Sequence, residues 1–304
     1  DALLEDLEMR TLVDLRRMAY VLNVRGVLAQ ERGDWETART YYERARRIAQ
    51  ENEVEGAEGR AAGHLADTYL HEGNASYSVH LLREGLEKLH NSGDLELSSY
   101  FTGRLGEALI ATGQVNEGRQ LLGKALRMAK HMRYRVYERR WHLLLAEQAM
   151  AIYNYDSART HYLQALSKID ETHARDDYVV LLCRLSKACL RLREYEDALG
   201  YARRAVEFSE TLDPTMDAHY MAQGALGVVL RSLIQYQTAI PYLEVAVTGY
   251  ETISTTHSDY SYVDILRNLA ACKAEVSAVE SALTIYEQAL TVTAQAEMPL
   301  ERAG

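Results

Sequence analysis

The sequence offers one small group of side chains whose types and spacing could bind a metal ion. His64 and His71 are seven residues apart, which places them on one face of a predicted helix, with Asp67 between them. Imidazole and carboxylate groups are common zinc ligands. Polar side chains that line a groove are the interpretation we favour, so we predict no metal site.

Catalytic motifs are missing from the sequence. It contains no Walker-type phosphate loop, no dinucleotide-binding glycine motif, no zinc-protease or serine-hydrolase motif and no Cys-x-x-Cys pair. No pair of carboxylates stands out among the 44 acidic residues. We therefore predict that the chain is not an enzyme, and we expect neither catalytic residues nor a cofactor.

The cysteine count and the apolar pattern indicate a reducing compartment and no membrane span. Cys183, Cys189 and Cys272 are too few and too scattered for a disulfide framework, which fits a reducing environment, and we expect buried, unreactive thiols at Cys183 and Cys189. No signal peptide is visible in the given sequence, and no apolar run approaches the roughly 20 residues that span a bilayer. The sequence predicts a cytoplasmic protein without a membrane partner. Since the first residue is not Met, we expect a processed chain or a fragment of a longer protein.

A basic stretch over residues 124–141 could bind nucleic acid, because Tyr134, Tyr137 and Trp141 lie among its cations and bases stack on aromatic rings. The cations are Lys124, Arg127, Lys130, Arg133, Arg135, Arg139 and Arg140. However, the chain has 34 Lys and Arg against 44 Asp and Glu, a net charge of −10, which argues against broad nucleic-acid binding. We favour a solvated face and keep this edge as an alternative site.

Internal repetition determines which elements carry these residues. A small residue recurs every 40 to 43 residues, at Gly26, Ala66, Gly106, Ala146, Ser186, Gly227 and Ala270. Twelve residues after each comes a second small residue, followed four residues later by a mostly bulky one and three later by a third small one. Residues three and four apart share a helix face. Each copy is therefore predicted to be two closely packed helices.

Turn signals separate the two helices of a copy. Gly33, Gly73 and Gly113 follow predicted first helices, and Asp34 or Asn74 opens the next one. The predicted repeats cover residues 11–51, 52–92, 93–132, 133–171, 172–212, 213–254 and 255–295. We expect one continuous domain over 1–304, with a frayed tail at 296–304. Residues 1–9 fall where a preceding second helix would end.

The pattern resembles the tetratricopeptide repeat (TPR), whose signature puts Leu and Gly or Ala on the first helix and Ala, an aromatic residue and Ala on the second. Leu145 and Ala146 followed by Ala158, Tyr162 and Ala165 match it. The period exceeds the usual 34 or so residues. It is similar to the long repeats of bacterial signal-transducing ATPases, multidomain transcription activators and kinesin light chains. The resemblance implies an all-α fold, a right-handed α-α superhelix of about seven hairpins.

In TPR proteins the first helices line a concave surface, and their offsets carried over to this chain give ten candidate partner-binding residues. These are Arg60, His64, Asp67, Tyr100, Arg104, Glu107, Arg140, Glu147, Arg184 and Lys187. The four arginines could hold an extended acidic peptide through bidentate contacts, or could pair with the acidic residues of the same set. We also expect Gly63, Gly103 and Gly224 to bring the backbone close to a bound partner.

The sequence thus predicts a non-catalytic protein-interaction module. Its expected partner is a protein or peptide, with an acidic peptide as one option, or another domain of the same polypeptide. By resemblance it would be the sensor or regulatory part of a larger signalling protein. Two alternatives stay open: a small-molecule sensor with a closed pocket around His64, His71 and Arg104, and a nucleic-acid reader that uses residues 124–141.

Overall fold

The protein, as a computed structural model, is described over residues 2–90, 92–169, 175–211, 217–253 and 260–297, where all regular structure is α-helical. The helices are α1 (Ala2–Glu31), α2 (Trp35–Glu51), α3 (Glu55–His71), α4 (Ala75–His90), α5 (Leu95–Ala111), α6 (Val115–Met132), α7 (Arg135–Ala151), α8 (Tyr155–Leu166), α9 (Arg175–Arg191), α10 (Tyr195–Ser209), α11 (Asp217–Ser232), α12 (Tyr236–Ile253), α13 (Tyr260–Glu275) and α14 (Val279–Glu297). The predicted fold class is confirmed.

The helices belong to two compact units, divided within α7. Unit 1 ends at Leu145 and unit 2 begins at Ala146. In unit 1, α1 packs on α2, α3 on α4 and α5 on α6; in unit 2, α9 packs on α10, α11 on α12 and α13 on α14. In each unit, second helices also contact the next first helix, such as α2 with α3 and α10 with α11. The predicted hairpin repeat is therefore confirmed, whereas one continuous domain stays a prediction.

One turn geometry joins the two helices of every repeat. The amide of Asp34 donates to the carbonyl of Ala29 at 3.0 Å, and that of Asn154 donates to Ala149 at 2.9 Å. Such bonds close a left-handed turn at the helix end. In the seven successive repeats, the residue with a left-handed backbone conformation is Gly33, Gly73, Gly113, Tyr153, Arg193, Ile234 and Ser277. Only three of these seven are glycine, so glycine alone reveals fewer than half of the turns.

The small residues found in the sequence allow two helices of a hairpin to touch. A Cβ added to Gly106 would lie 2.8 Å from the carbonyl oxygen of Gly118, and one added to Gly118 would lie 2.5 Å from that of Gly106. Ala38 and Ala158 have no exposed surface, and neither does the bulky Tyr42 between small neighbours. The predicted columns of small and bulky residues therefore form the core, except for Tyr286 in the last bulky position, which is 37% exposed.

Glycines on the first helices accept side chains from the following repeat. A Cβ on Gly63 would lie 2.1 Å from the ring of Phe101, and one on Gly103 would lie 2.3 Å from the ring of Trp141. Gly224 has Ile265 in the same place, at 2.7 Å. The expectation that the glycines bring the backbone close to a partner is therefore wrong for Gly63 and Gly103, because neighbouring side chains already fill the space. Gly224 also borders an open cavity of unit 2, so for Gly224 it stays a prediction.

The ends of the chain modify two expectations. Helix α1 runs unbroken from Ala2, so the expectation that residues 1–9 end a preceding helix is wrong; this segment contains no glycine or proline to stop a helix. Helix α14 continues through Glu297, and the rest of the predicted tail lies outside the described residues, as does the end of repeat 172–212. None of the described helices is both long and apolar enough to cross a membrane.

Packing at Gly103 gives a stability prediction. Gly103→Ala is expected to lower the free energy of unfolding of unit 1 by about 1–3 kcal/mol, because the added methyl group displaces the buried Trp141 ring. Gly123→Ala is the control, since its Cβ meets only the end of Arg127 at 3.7 Å. It should be neutral or stabilising by up to about 1 kcal/mol. Urea unfolding measures both, and equal effects would contradict the packing assignment.

Candidate functional site

Five of the predicted groove residues form one polar network in unit 1. Asp67 is 1% exposed and accepts hydrogen bonds from Nε of Arg104 at 2.5 Å and from the hydroxyl of Tyr100 at 2.8 Å. Arg104 also donates to Glu107 at 2.6 Å, and Arg140 donates to Glu107 at 3.2 Å. These residues, the Asp67–Arg104 network, link α3, α5 and α7.

Electrostatics inside the network favour its charged and hydrogen-bonded state. Burial raises the pKa of Tyr100, and the negative charge of Asp67 raises it further. Burial alone would lower the pKa of Arg104, but Asp67, Tyr100 and Glu107 outweigh it and raise the net pKa of this guanidinium. Tyr100 therefore stays a neutral donor and Arg104 a cation, and Asp67 has two charge-stabilising donors.

All four predicted groove arginines have a carboxylate partner. Besides the two in the network, Arg60 donates to Asp94 at 2.8 Å and Arg184 to Glu147 at 2.6 Å. The pairing alternative raised by the sequence therefore describes this structure. A partner of these arginines would have to share or displace an existing ion pair.

The two histidines of the possible metal group lie in separate ring contacts. His64 stacks on Tyr42, with ring centroids 5.4 Å apart, and meets Phe101 edge-on at 5.2 Å, whereas His71 stacks on Trp35 at 3.9 Å. Burial lowers the pKa of His64 to about 4. No group of three His, Cys, Asp or Glu residues in the described ranges could hold a metal ion.

The basic stretch does not present its aromatic residues as a stacking surface. Trp141 has no exposed surface, and its ring lies 6.2 Å from that of Tyr100 and 6.5 Å from that of Tyr137. The hydroxyl of Tyr134 donates to Glu96 at 3.1 Å. Base stacking needs an accessible ring face, which Trp141 lacks, while Tyr134 and Tyr137 are half-buried.

The cysteines are as expected from their positions. Cys183, Cys189 and Cys272 are buried and free. Burial raises the pKa of Cys183 to about 12 and that of Cys189 to about 11, so both thiols stay protonated and unreactive at neutral pH.

Unit 2 contains an open cavity of about 560 Å³ along the first helices α9, α11 and α13. Its cationic lining residues are Arg184, Lys187, Arg191 and Arg231, and Asp264 is its acidic one. Met221, Val228 and Ile265 contribute apolar surface. We call this site the α9–α11–α13 cavity. It combines positive charge with apolar walls, which suits a ligand that is both anionic and apolar.

A cavity of similar size in unit 1 has a different charge balance. It occupies about 590 Å³ and is bordered by three cationic residues, Arg16, Arg60 and Lys88, and by the acidic residues Glu53, Glu55 and Asp94. Arg60 is paired with Asp94, and Lys88 lies 3.2 Å from Glu58. Its positive charge is compensated within the unit, whereas that of the α9–α11–α13 cavity is largely not.

Sequence reasoning identified Arg184 and Lys187 but missed Arg191 and Arg231. The signal was present, because Arg184, Lys187 and Arg191 are three and four residues apart and so share one face of α9. Arg231 could not be found that way, since it belongs to another repeat. It lies at the cavity because α9 packs on α11.

Known structures with the same arrangement define the class of fold. The chain has a TM-score of 0.70 to the apo form of the quorum sensor NprR from B. thuringiensis, at 15% identity over 93% of this chain and 81% of that chain. Its TM-score is 0.73 to a signal transduction ATPase with numerous domains and a tetratricopeptide repeat sensor from Pyrococcus horikoshii, at 15% identity over 96% of this chain and 44% of that chain.

A third similar structure is that of a Rap protein complexed with competence and sporulation factor, with a TM-score of 0.55 at 14% identity over 96% of this chain and 98% of that chain. No protein-family model and no curated protein matches the sequence. At these identities the likeness shows the fold alone. It is a helical repeat of the TPR type, as the sequence predicted.

The buried network gives a second stability prediction. Asp67→Ala leaves Arg104 buried without its principal partner, and should lower the free energy of unfolding by about 3–5 kcal/mol. Glu117→Ala removes the exposed pair with Arg83, also between two repeats of unit 1, and should cost at most about 1 kcal/mol. Urea unfolding of both variants tests the contrast. A similar cost for the two pairs would show that burial of Asp67 contributes nothing.

His64 predicts a pH effect. Its pKa is about 4 when folded and 6.5 in the reference state, so as the pH falls from 6.5 towards 4 the unfolded chain binds a proton that the folded chain refuses. Folding stability is therefore lost over that window. We expect His64→Phe to lose less stability than the wild type when urea unfolding above pH 6.5 is compared with unfolding below it. Parallel pH profiles would contradict the burial of a neutral imidazole.

Proposed function

We propose that this chain is a non-catalytic recognition module that binds a peptide or an extended protein segment on its first helices. The observation that carries the proposal is the α9–α11–α13 cavity, in which α9 and α11 supply the cations and all three first helices supply apolar side chains. A rigid helical repeat suits this role, because each first helix adds contacts along an extended partner.

Similar structures support a regulatory setting. They are those of a quorum sensor, a Rap protein complexed with competence and sporulation factor, and an ATPase with a tetratricopeptide repeat sensor. Because this chain matches 44% of the ATPase chain, we extend the proposal to the sensor or regulatory part of a longer signalling protein. Free, buried cysteines support a reducing, cytoplasmic setting.

The proposed partner carries negative charge. In unit 1 the charges of the groove arginines are compensated by Asp67, Glu107 and Asp94. An acidic partner would therefore gain less binding free energy there. In unit 2, Lys187 and Arg191 are exposed and have no carboxylate partner among residues 175–211, 217–253 and 260–297. Of the ten residues predicted from sequence, Arg184 and Lys187 are therefore the proposed principal contacts.

Selection of phage-displayed random peptides on the immobilised protein tests this function. We expect enriched peptides that bind the wild type and slow amide hydrogen exchange in α9, α11 and α13. The double variant Lys187→Glu, Arg191→Glu should lose them. Arg203→Glu is the control, because Arg203 is an exposed cation of α10 that borders a different cavity.

The outcomes separate the possibilities. Peptides that bind all three proteins equally would move the partner surface away from the cavity. A selection without any enriched peptide would contradict the proposed recognition of extended segments.

A further inference from the structure

One position of the repeat explains why positive charge accumulates in unit 2. It is the residue directly after the small residue of each first helix, and in three successive repeats it is acidic: Asp67, Glu107 and Glu147. Each of these carboxylates accepts from an arginine of the following first helix, namely Arg104, Arg140 and Arg184. An acidic residue here and an arginine on the next helix thus form a repeated ion pair.

Lys187 occupies the same position in the next repeat and reverses its charge. The following helix does not supply an acidic counterpart, because Met221 and Ala225 stand where Tyr100 and Arg104 stand three repeats earlier. Lys187 therefore shares the lining of the cavity with the apolar residues Met221 and Ala225. Arg191, one helical turn further along α9, adds a second exposed cation.

Other residues of the cavity are held in place by the protein. Arg231 donates to the amide oxygen of Asn268 at 2.9 Å, and Asn268 donates to the backbone carbonyl of Asp264 at 2.6 Å. Arg184 is held by Glu147. Since both guanidinium groups are fixed by one bond and keep further N–H donors, they can add a carboxylate at low entropic cost.

The same cavity also has an apolar wall. Met221, Ala225 and Val228 belong to α11, and Ile265 reaches the wall from α13 over Gly224. The volume of about 560 Å³ accommodates a large apolar side chain together with a carboxylate. Burial of an apolar group beside the cations also excludes water, which strengthens the ion pair.

We propose that the α9–α11–α13 cavity is a two-part site for an extended peptide that carries an acidic side chain next to a large apolar one. Lys187 and Arg191 bind the carboxylate, with Arg184 and Arg231 at its borders, and the Met221 side of the cavity takes the apolar group. This inference rests on the proposed function and names the chemistry of its ligand.

Two matched random-peptide libraries test this ligand chemistry. One permits Asp and Glu, and in the other Asn and Gln replace them; both display the peptide without a free carboxyl terminus, so only side chains can supply the carboxylate. We expect binders from the acidic library alone, with an apolar residue adjacent to the acid. In a synthetic binder, Glu→Gln and the protein variant Lys187→Gln, Arg191→Gln should each weaken binding at least about tenfold.

Charge-reversal variants test whether Lys187 and Arg191 themselves bind the carboxylate of the peptide. A peptide whose acid is changed to Lys should be rescued by Lys187→Glu, Arg191→Glu but not by the control Arg203→Glu, and Met221→Asp should abolish binding through the apolar half. Circular dichroism confirms that each variant is folded.

Each result decides a different point. Equal yields of cavity-dependent binders from both libraries would overturn the two-part site and leave the proposed recognition function standing. Acidic peptides that still bind the variant Lys187→Glu, Arg191→Glu would also overturn the two-part site. Binders from neither library would contradict the recognition function itself.

Discussion

The close approach of neighbouring helices at glycine and alanine is the constraint on which the rest of this structure depends. Gly106 and Gly118 bring two helix backbones together with no room for a Cβ, and Gly103 leaves space that the ring of Trp141 fills. Interiors packed this densely allow little sliding. The distance between successive first helices is therefore set by these residues, and so are the side chains that can meet across them.

That fixed spacing explains the buried ion pairs of unit 1. Asp67 reaches Arg104 and Tyr100 on the next first helix because the two helices are close, and its burial makes an unpaired carboxylate there costly. Buried pairs often add little net stability but are expensive to break. The network is best understood as a device that keeps two first helices in register, which leaves little charge in unit 1 for a partner.

Unit 2 uses the same helical frame differently. Where Asp67 and its counterparts form pairs, Lys187 lines a cavity together with apolar residues of α11, and the positive charge stays available. Compensated charge holds the protein together, whereas uncompensated charge next to apolar surface gives affinity and selectivity for something else. The same repeat position therefore serves cohesion in the three repeats where it is acidic and proposed recognition in the repeat that carries Lys187.

Helical periodicity and residue size are local properties, so the sequence by itself determined the seven hairpins and the small positions such as Ala38 and Ala158. It also identified Arg184 and Lys187 as residues of a first-helix surface. It could not determine which cations are compensated, because Asp67 and Arg104 are 37 positions apart and meet only through packing. Tertiary structure decided that Arg231 joins the cavity of α9, since charge compensation depends on what the neighbouring helix brings within hydrogen-bond distance.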